Sequence, residues 1–197
     1  MGNVASVGKT LIKLGYTPII TNNFNEIRKS DFIILPGVGS FCAAMENLNK
    51  LGLVALLTDE VIRKKKPFLG ICLGMQLLAE FGNEPIRCKG LGWIKGEIIK
   101  IQEDPNIRIP HLGWNNVESI KKNSFFEEFD GEDFYFIHSY HFSTKENNDI
   151  VLSVNYNSPI VAGINKENIF GMQFHPEKSQ NSGLRLLKKI IDYNVEV

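Results

Sequence analysis

The strongest constraint on the fold is an alternation of short apolar runs with helical patterns along the first half of the chain. The runs are rich in β-branched and aromatic residues, which predicts strands at 18–21, 31–35 and 67–71. Leucines and isoleucines recur at helical spacing around them, which predicts helices at 4–14, 40–49, 53–66 and 73–81. This alternation is typical of a parallel, doubly wound sheet.

The second half of the chain has a different pattern, in which apolar runs follow one another with turn residues between them. Strands are predicted there at 94–101, 133–142, 150–156, 160–164 and 169–174, followed by one helix at 183–193. We therefore predict the α/β class. The expected architecture is a single doubly wound domain over residues 1–197, with a mostly parallel central sheet flanked by helices and antiparallel additions in the second half.

Composition argues against several classes of partner and compartment. The 22 basic residues balance 22 acidic ones, so no overall charge favours nucleic acid or an anionic membrane surface, and we expect neither as a partner. Apolar runs stay far below the ~20 residues of a membrane-spanning helix. The three cysteines are too few and too irregularly spaced for a disulfide framework or a four-cysteine metal site, which favours a reducing cytoplasm.

A candidate nucleophile, Cys72, stands where the strand at 67–71 runs directly into a helix. Gly70 and Gly74 flank it with the spacing of a nucleophile elbow, in which small neighbours permit a sharp turn. The N-terminus of the following helix then points at the sulfur and favours the thiolate. A cysteine on an apolar strand is otherwise most often an inert core residue, so the assignment depends on a suitable base.

Among the histidines, His175 is the best candidate for that base. It follows the strand at 169–174 and precedes Pro176, so that the carboxylate of Glu177 lies two residues further on. Cys72, His175 and Glu177 would then form a triad of nucleophile, base and orienting group. Without the elbow, a histidine at a strand end is more often a surface or capping residue.

A third element, residues 35–41 (Leu-Pro-Gly-Val-Gly-Ser-Phe), joins another strand to a helix. Its glycines expose backbone amides, which could stabilise the oxyanion of an acyl-transfer reaction or bind a phosphate. A dinucleotide site is disfavoured, because the glycine pattern is incomplete and no acidic residue for a ribose follows at about 20 residues.

Three motifs in this order resemble the class I, triad-type glutamine amidotransferases. They are residues 36–39, 70–76 and 174–179. Within that class, residues 109–115 and 134–140 and the ending Lys178-Ser179 are similar to the HisH subfamily, the glutaminase subunits of imidazole glycerol phosphate synthase. The resemblance covers nearly the whole chain.

The resemblance implies hydrolysis of L-glutamine to glutamate and ammonia, without a metal or an organic cofactor. Cys72 would attack the side-chain amide, and His175, oriented by Glu177, would move the proton. The backbone amides for the oxyanion would come from Gly37, Val38, Gly39 and Leu73. The positions that match the family's binding site for the amino-acid head of the substrate are Gln76, Ser139 and Tyr140.

The resemblance also implies a partner, because free ammonia would be protonated and lost in bulk water. For HisH-like chains that partner is a HisF-like (β/α)8 cyclase subunit, which would use the ammonia for imidazole glycerol phosphate and AICAR formation in histidine biosynthesis. The residues that match or are expected at this junction are Trp114, Tyr135 and Lys178. The remaining histidines, interpreted as packing or interface residues, are His111, His138 and His141.

The start of the chain departs from the resemblance. Family members usually begin with an apolar strand that ends in an Asp-Tyr-Gly-like turn before the Met-Gly-Asn found here at 1–3. We therefore expect the sheet to lack its first strand, and we expect a chain extended upstream by about ten residues to be more stable.

Three alternatives remain open. A HisH-like paralogue could supply ammonia to another synthase, such as a surface-sugar amidotransferase, with the same motifs. Another triad amidotransferase, such as that of anthranilate or pyridoxal phosphate synthesis, is disfavoured by residues 113–115 and 178–179. A catalytically silent subunit that only braces its partner is disfavoured by the intact triad residues, although the short N-terminus is compatible with it.

Overall fold

The computed structural model describes residues 3–144, 146 and 148–195. Its strands are β1 (Ile33–Gly37), β2 (Phe68–Cys72), β3 (Phe81–Asn83), β4 (Arg87–Lys89), β5 (Glu97–Lys100), β6 (His111–Ser119), β7 (Asp133–His138), β8 (Tyr140–Ser143), β9 (Ile150–Tyr156), β10 (Ser158–Lys166) and β11 (Ile169–Met172). Its α-helices are α1 (Val4–Lys13), α2 (Phe24–Lys29), α3 (Phe41–Lys50), α4 (Leu53–Thr58), α5 (Leu73–Gln76) and α6 (Gln180–Val195). None of the helices in these ranges is both long and apolar enough to cross a lipid bilayer.

The larger of two sheets has the strand order β1-β2-β11-β10-β9-β6-β7. Strand β2 lies between β1 and β11 and is parallel to both, whereas the other neighbours in this sheet are antiparallel. The predicted α/β class is confirmed. Antiparallel pairing takes a larger share than a mostly parallel sheet would have, because residues 150–172 fold as consecutive hairpins instead of helical crossovers.

The smaller sheet has the order β4-β3-β5-β8 and divides the strand predicted at 133–142. The chain leaves the larger sheet after His138 and enters the smaller one at Tyr140. Ser139 therefore lies at the step between the two sheets, close to the other residues predicted to bind substrate.

Hydrophobic cores lie on both faces of β2. Phe68 packs into the core that includes residues of α3 and α4, whereas Leu69 and Ile71 pack into the core that includes residues of α1 and α6. This alternation is expected of a strand with both faces covered. Every residue of β2 is buried, so Cys72 is held in the interior at the end of a well-packed strand.

Three further predicted elements differ from the structure. The helix predicted at 53–66 is α-helical only over Leu53–Thr58 and continues as a π-helix over Asp59–Arg63. The helix after Cys72 ends at Gln76, because the carbonyls of Leu77 and Leu78 accept hydrogen bonds from the backbone of residues 91–94 instead of continuing the helix. Residues 18–21 form no strand, since β1 has no strand paired on its outer side among the described residues. The sequence also gives no clear sign of α2, β3, β4 and β6, whose apolar residues are too few or too scattered to show a period.

The expectation for the cysteines needs one correction. Cys42, in the first turn of α3, is bonded to Cys88 of β4, and their Cα atoms are 5.7 Å apart. The two are separated by 46 residues, so their spacing in the sequence does not reveal that α3 packs on the β3–β4 hairpin. Cys72 is the remaining, free cysteine.

A buried carboxylate, Glu60, lies just after α4 and is linked to α2 through Lys66. The Glu60 side chain is 2% exposed, and its oxygens lie 2.6 Å from Nζ of Lys64 and 3.0 Å from Nζ of Lys66. Lys66 also donates to the carbonyls of Ile27 and Arg28 at 2.9 and 2.7 Å. The hydrogen bond from Lys64, helped by Lys66 and opposed by burial, lowers the pKa of Glu60.

We predict that Glu60→Gln lowers the free energy of unfolding by about 1–3 kcal/mol at pH 7, because it removes the charge that the two lysines face. The deficit should shrink as the pH falls through the lowered folded-state pKa of Glu60, since the wild-type carboxyl group is then protonated as well. Urea unfolding measures both. Glu118→Gln alters an exposed carboxylate and serves as the control, and an equal loss in both variants would contradict the prediction.

Candidate active site

The predicted nucleophile elbow lies at the carboxyl end of β2. Cys72 has φ 54° and ψ −110°, a conformation that residues with a Cβ atom rarely adopt. Neither flanking glycine leaves room for a side chain. A Cβ on Gly74 would lie 1.8 Å from the carbonyl oxygen of Leu35, and a Cβ on Gly70 would lie 2.5 Å from the carbonyl oxygen of Gly74. The sharp turn places the Cys72 side chain directly before the first amide of α5.

The predicted oxyanion turn lies beside this elbow, because β1 and β2 are parallel neighbours. Gly37 pairs with Cys72 in the ladder, and a Cβ on Gly37 would lie 3.0 Å from Cβ of Leu73. Gly39 has φ 105°, which favours glycine. The fold therefore brings together the four residues predicted to supply oxyanion amides, which are Gly37, Val38, Gly39 and Leu73.

The predicted base and its orienting group form a buried pair. Nδ1 of His175 lies 2.8 Å from Oε1 of Glu177, and their side chains are 1% and 0% exposed. The backbone amide of His175 donates to the carbonyl of Tyr135 at 2.9 Å, and its carbonyl accepts from the hydroxyl of Ser179 at 2.7 Å. These bonds fix the backbone on both sides of the imidazole ring.

The charge of His175 depends on the two other predicted triad residues. Burial favours the neutral ring, but the interactions with Cys72 and Glu177 together outweigh burial and raise the pKa of His175 to about 9. Nε2 of the ring has no hydrogen-bond partner among the described residues, so it is available to exchange a proton. The raised pKa makes His175 a suitable acceptor for the proton that Cys72 gives up.

Asn3 is a member of this cluster that the sequence does not indicate. Its side-chain nitrogen donates to Oε1 of Glu177 and lies 2.8 Å from Nδ1 of His175. An asparagine before a helix normally caps it, but the side chain of Asn3 makes no capping bond to α1. No local pattern could have revealed this role, because 172 residues separate Asn3 from His175.

The residues predicted to bind the amino-acid head of the substrate lie behind the elbow. Nε2 of Gln76 donates to the carbonyl of Tyr140 at 2.9 Å and to Oε1 of Gln173 at 3.0 Å. Ser139 precedes Tyr140, and its carbonyl accepts from the amide of Ile101 at 2.9 Å. The structure therefore brings Gln76, Ser139 and Tyr140 together and adds Gln173, which was not predicted.

The predicted partner residues lie together at the surface, with Trp114 on β6, the half-buried Tyr135 on β7 and Lys178 in the 3-10 turn Pro176–Lys178. The Trp114 side chain is 48% exposed and meets the Tyr135 ring edge-on, with ring centroids 6.0 Å apart. Nζ of Lys178 lies 5.6 Å from the centre of the same tyrosine ring. Leu112 and Ile137, a neighbouring cross-strand pair, are 58% and 40% exposed and extend the apolar surface.

The remaining histidines are buried or half-buried, in keeping with the packing interpretation. Nδ1 of His111 lies 3.0 Å from Nε2 of His138, and His111 also stacks on the rings of Phe136 and Tyr156. Burial lowers the pKa of His111 to about 4 and, as the largest of several effects, the pKa of His138 to about 3. Burial also lowers the pKa of His141. These rings are neutral at physiological pH.

Comparison with known proteins gives one family over nearly the whole chain. The family Glutamine amidotransferase class-I matches residues 2–192. The chain is 46% identical to imidazole glycerol phosphate synthase subunit HisH 1 of Campylobacter jejuni strain RM1221, over 96% of this chain and 94% of that protein. It is 44% identical to subunit HisH 2 of Vibrio vulnificus strain YJ016, over 98% of this chain and 91% of that protein. It is 41% identical to subunit HisH 2 of Methanococcus maripaludis, over 97% of this chain and 95% of that protein.

Solved structures share the fold at much lower identity. A crystal structure of a glutamine amidotransferase superposes with a TM-score of 0.74 at 15% identity, covering 100% of this chain and 95% of that chain. A glutamine amidotransferase from Thermotoga maritima superposes with a TM-score of 0.67 at 18% identity, covering 97% of this chain and 92% of that chain. These two similarities bear on the fold alone.

We predict that Cys72→Ser reduces glutamine hydrolysis by roughly 10³-fold or more, because the hydroxyl is a far weaker nucleophile in this site. The double variant Cys42→Ser/Cys88→Ser removes the disulfide and is the control, which should keep its activity. Release of glutamate and ammonia is the measurement. Full activity in the Cys72 variant would refute the assignment of the nucleophile.

The different roles of His175 and Glu177 predict which of their variants keeps more activity. His175→Asn removes the group that carries the proton, whereas Glu177→Gln keeps a side chain that can still orient the ring. We expect Glu177→Gln to retain at least about ten times the turnover of His175→Asn. Ammonia release at matched enzyme concentration measures both, and the reverse ranking would mean that the roles are exchanged.

Proposed function

The chain belongs to the class-I glutamine amidotransferase family, and from this premise we propose that it is the glutaminase subunit of a cytoplasmic imidazole glycerol phosphate synthase. Membership of the family confirms the resemblance found in the sequence and the expectation of an enzyme of that class. The observation that carries the proposal is the buried pair of His175 and Glu177 beside a cysteine in a strained elbow. The three HisH relatives support the choice of this synthase over that of another amidotransferase pathway.

The first half of the reaction forms a thioester. Cys72 gives its proton to Nε2 of His175, and the sulfur attacks the side-chain carbonyl carbon of L-glutamine. The amides of Leu73 and of the turn at 37–39 donate to the carbonyl oxygen as it gains negative charge. His175 then passes the proton to the departing nitrogen, which leaves as ammonia.

The second half of the reaction regenerates the thiol. His175 takes a proton from a water molecule, and the resulting hydroxide attacks the thioester carbon. The carbon–sulfur bond breaks, glutamate leaves, and the proton returns to the sulfur of Cys72. Each step moves one proton through His175, so the proposal needs neither a metal nor an organic cofactor.

Binding of the substrate head follows from the hydrogen bonds of Gln76. Its Nε2 already donates to Tyr140 and Gln173, which leaves its Oε1 to accept from the ammonium group of the substrate. The backbone between Ser139 and Tyr140 lies at the step between the two sheets and offers further polar atoms nearby. We assign substrate binding to Gln76, Ser139 and Tyr140.

The ammonia needs an acceptor, which we propose to be a HisF-like (β/α)8 cyclase subunit. The surface group of Trp114, Tyr135, Lys178, Leu112 and Ile137 is a suitable docking surface, because tryptophan and tyrosine are enriched among the residues that contribute most to protein interfaces. It also lies close to the chemistry: the carbonyl oxygen of Ile137 is 3.9 Å from Sγ of Cys72. Ammonia released at the sulfur would therefore emerge next to the partner.

Reconstitution tests the function directly. The chain is mixed with the cyclase subunit of its own organism, and formation of imidazole glycerol phosphate is measured with glutamine or with an ammonium salt. We expect both nitrogen sources to support the wild-type complex and only the ammonium salt to support the complex with Cys72→Ser. Glutamine hydrolysis that never leads to this product would indicate a paralogue serving another acceptor.

The docking surface makes a separate prediction. Trp114→Ala should weaken binding of the cyclase by roughly 30-fold, because a large exposed aromatic side chain is a typical interface anchor. Ile120→Ala is a matched control, since Ile120 is 47% exposed and lies beyond the opposite end of β6. Titration calorimetry measures both variants, and equal affinities would place the interface elsewhere.

A further inference from the structure

Gln173 lies between the nucleophile and the substrate-binding residues, yet the mechanism above does not use it. The residue follows β11, its side chain is completely buried, and its backbone amide donates to the carbonyl of Ala162 at 2.9 Å. Its side-chain Nε2 lies 3.8 Å from Sγ of Cys72, and its Oε1 lies 3.0 Å from Nε2 of Gln76. A buried amide is costly unless both of its ends are bonded, so this placement is a specific one.

The carbonyl of Tyr140 fixes which way the two glutamine amides point. A backbone carbonyl can only accept, so the atom of Gln76 that lies 2.9 Å away must be its nitrogen. The same nitrogen faces Gln173 at 3.0 Å and requires an oxygen there. The nitrogen of Gln173 is thereby directed at the sulfur of Cys72.

The carbonyl of Tyr140 also accepts a hydrogen bond from His138, which is itself hydrogen-bonded to His111. Nδ1 of His138 lies 2.9 Å from the carbonyl of Tyr140 and must carry a hydrogen, which makes Nε2 of the neutral ring an acceptor. His111 lies 3.0 Å from that Nε2 and donates to it. The directed chain of hydrogen bonds therefore begins at His111 and fixes the carbonyl of Tyr140.

The sulfur of Cys72 has two neighbours of opposite character. The carbonyl oxygen of Ile137, at 3.9 Å, can only accept and therefore suits the thiol, which donates its S–H. The amide nitrogen of Gln173, at 3.8 Å, can only donate and therefore suits the thiolate, which has lone pairs and no hydrogen. The two contacts thus favour different protonation states of the same atom.

We propose that Gln173 is a catalytic residue whose amide N–H stabilises the Cys72 thiolate after His175 has taken the proton. The resting thiol donates to Ile137; when the proton moves to His175, the sulfur loses that bond and accepts from Gln173. The amide cannot rotate away, because Gln76 holds its oxygen. This inference rests on the proposed glutaminase reaction and adds a donor to it.

Two variants separate this role from simple packing. Gln173→Glu keeps the shape and the oxygen that accepts from Gln76, but it replaces the amide N–H group that faces the sulfur with a carboxyl oxygen. Gln173→Met keeps most of the volume and offers no donor. A packing role predicts that the glutamate variant performs better than the methionine variant, whereas the proposed role predicts that it performs no better.

The decisive measurement is the rate of alkylation of Cys72 by iodoacetamide at pH 8, without glutamine or partner, followed by intact mass. Cys42 and Cys88 are bonded to each other, so Cys72 is the free thiol that reacts. Loss of one hydrogen bond to a charged group predicts a fall of roughly 10- to 100-fold in both variants. The exposed Gln102→Met is the control and should react at the wild-type rate.

Steady-state kinetics supply a second readout. Because Gln173→Glu keeps the oxygen that accepts from Gln76 and changes the group that faces the sulfur, its kcat should fall by a similar factor while its KM stays within about twofold, whereas loss of substrate binding would raise KM. Thermal melting identifies a variant that fails to fold, and the methionine variant then decides the outcome. Alkylation of a folded Gln173→Met protein within about threefold of the wild-type rate would overturn the proposal. Rapid alkylation of a wild-type chain that does not hydrolyse glutamine would instead refute the proposed function.

Discussion

Strand β2 is hydrogen-bonded to a parallel strand on each side, and this arrangement determines where the chemistry can occur. Parallel neighbours end at the same edge of a sheet, so the turn after β1, the elbow after β2 and the segment after β11 leave the sheet together. The register pairs Gly37 with Cys72 and Met172 with Ile71. The oxyanion turn and His175 therefore reach the sulfur without any long excursion of the backbone.

Burying the pair of His175 and Glu177 would by itself destabilise the fold, because moving charged groups out of water costs several kcal/mol per ion. The structure offsets this cost with polar contacts from distant parts of the chain. Asn3 donates to the carboxylate from the start of α1, and Tyr135 and Ser179 hold the backbone of His175. The pair can be maintained only when these segments are assembled, which ties the reactive state of the site to the complete fold.

The parts of the site that could be predicted are those whose signal is local. Gly70 and Gly74 lie two residues from Cys72, and Glu177 lies two residues from His175, so each relation is visible as a spacing. Likewise α1 and α3 have a clear apolar period, and the predicted and observed bounds of both helices agree to within one residue at every end. Contacts across the fold leave no such spacing: Gln173 meets Gln76 over 97 residues and Asn3 meets His175 over 172. The short α5 and the Cys42–Cys88 bond likewise depend on packing between distant segments.

The histidines around the sulfur divide into two electrostatic environments. The Cys72 and Glu177 contacts overcome burial and raise the pKa of His175 to about 9, whereas burial is the largest effect on His138 and lowers its pKa to about 3. A proton on His138 would remove the acceptor that His111 needs and would add a second positive charge near His175. Keeping His138 neutral therefore preserves the acceptor for His111, while Nδ1–H of His138 donates to the Tyr140 carbonyl, and it leaves His175 as the ring that takes the proton of Cys72. His175 thus transfers the proton, while the His111–His138 pair fixes the backbone beside the substrate-binding residues.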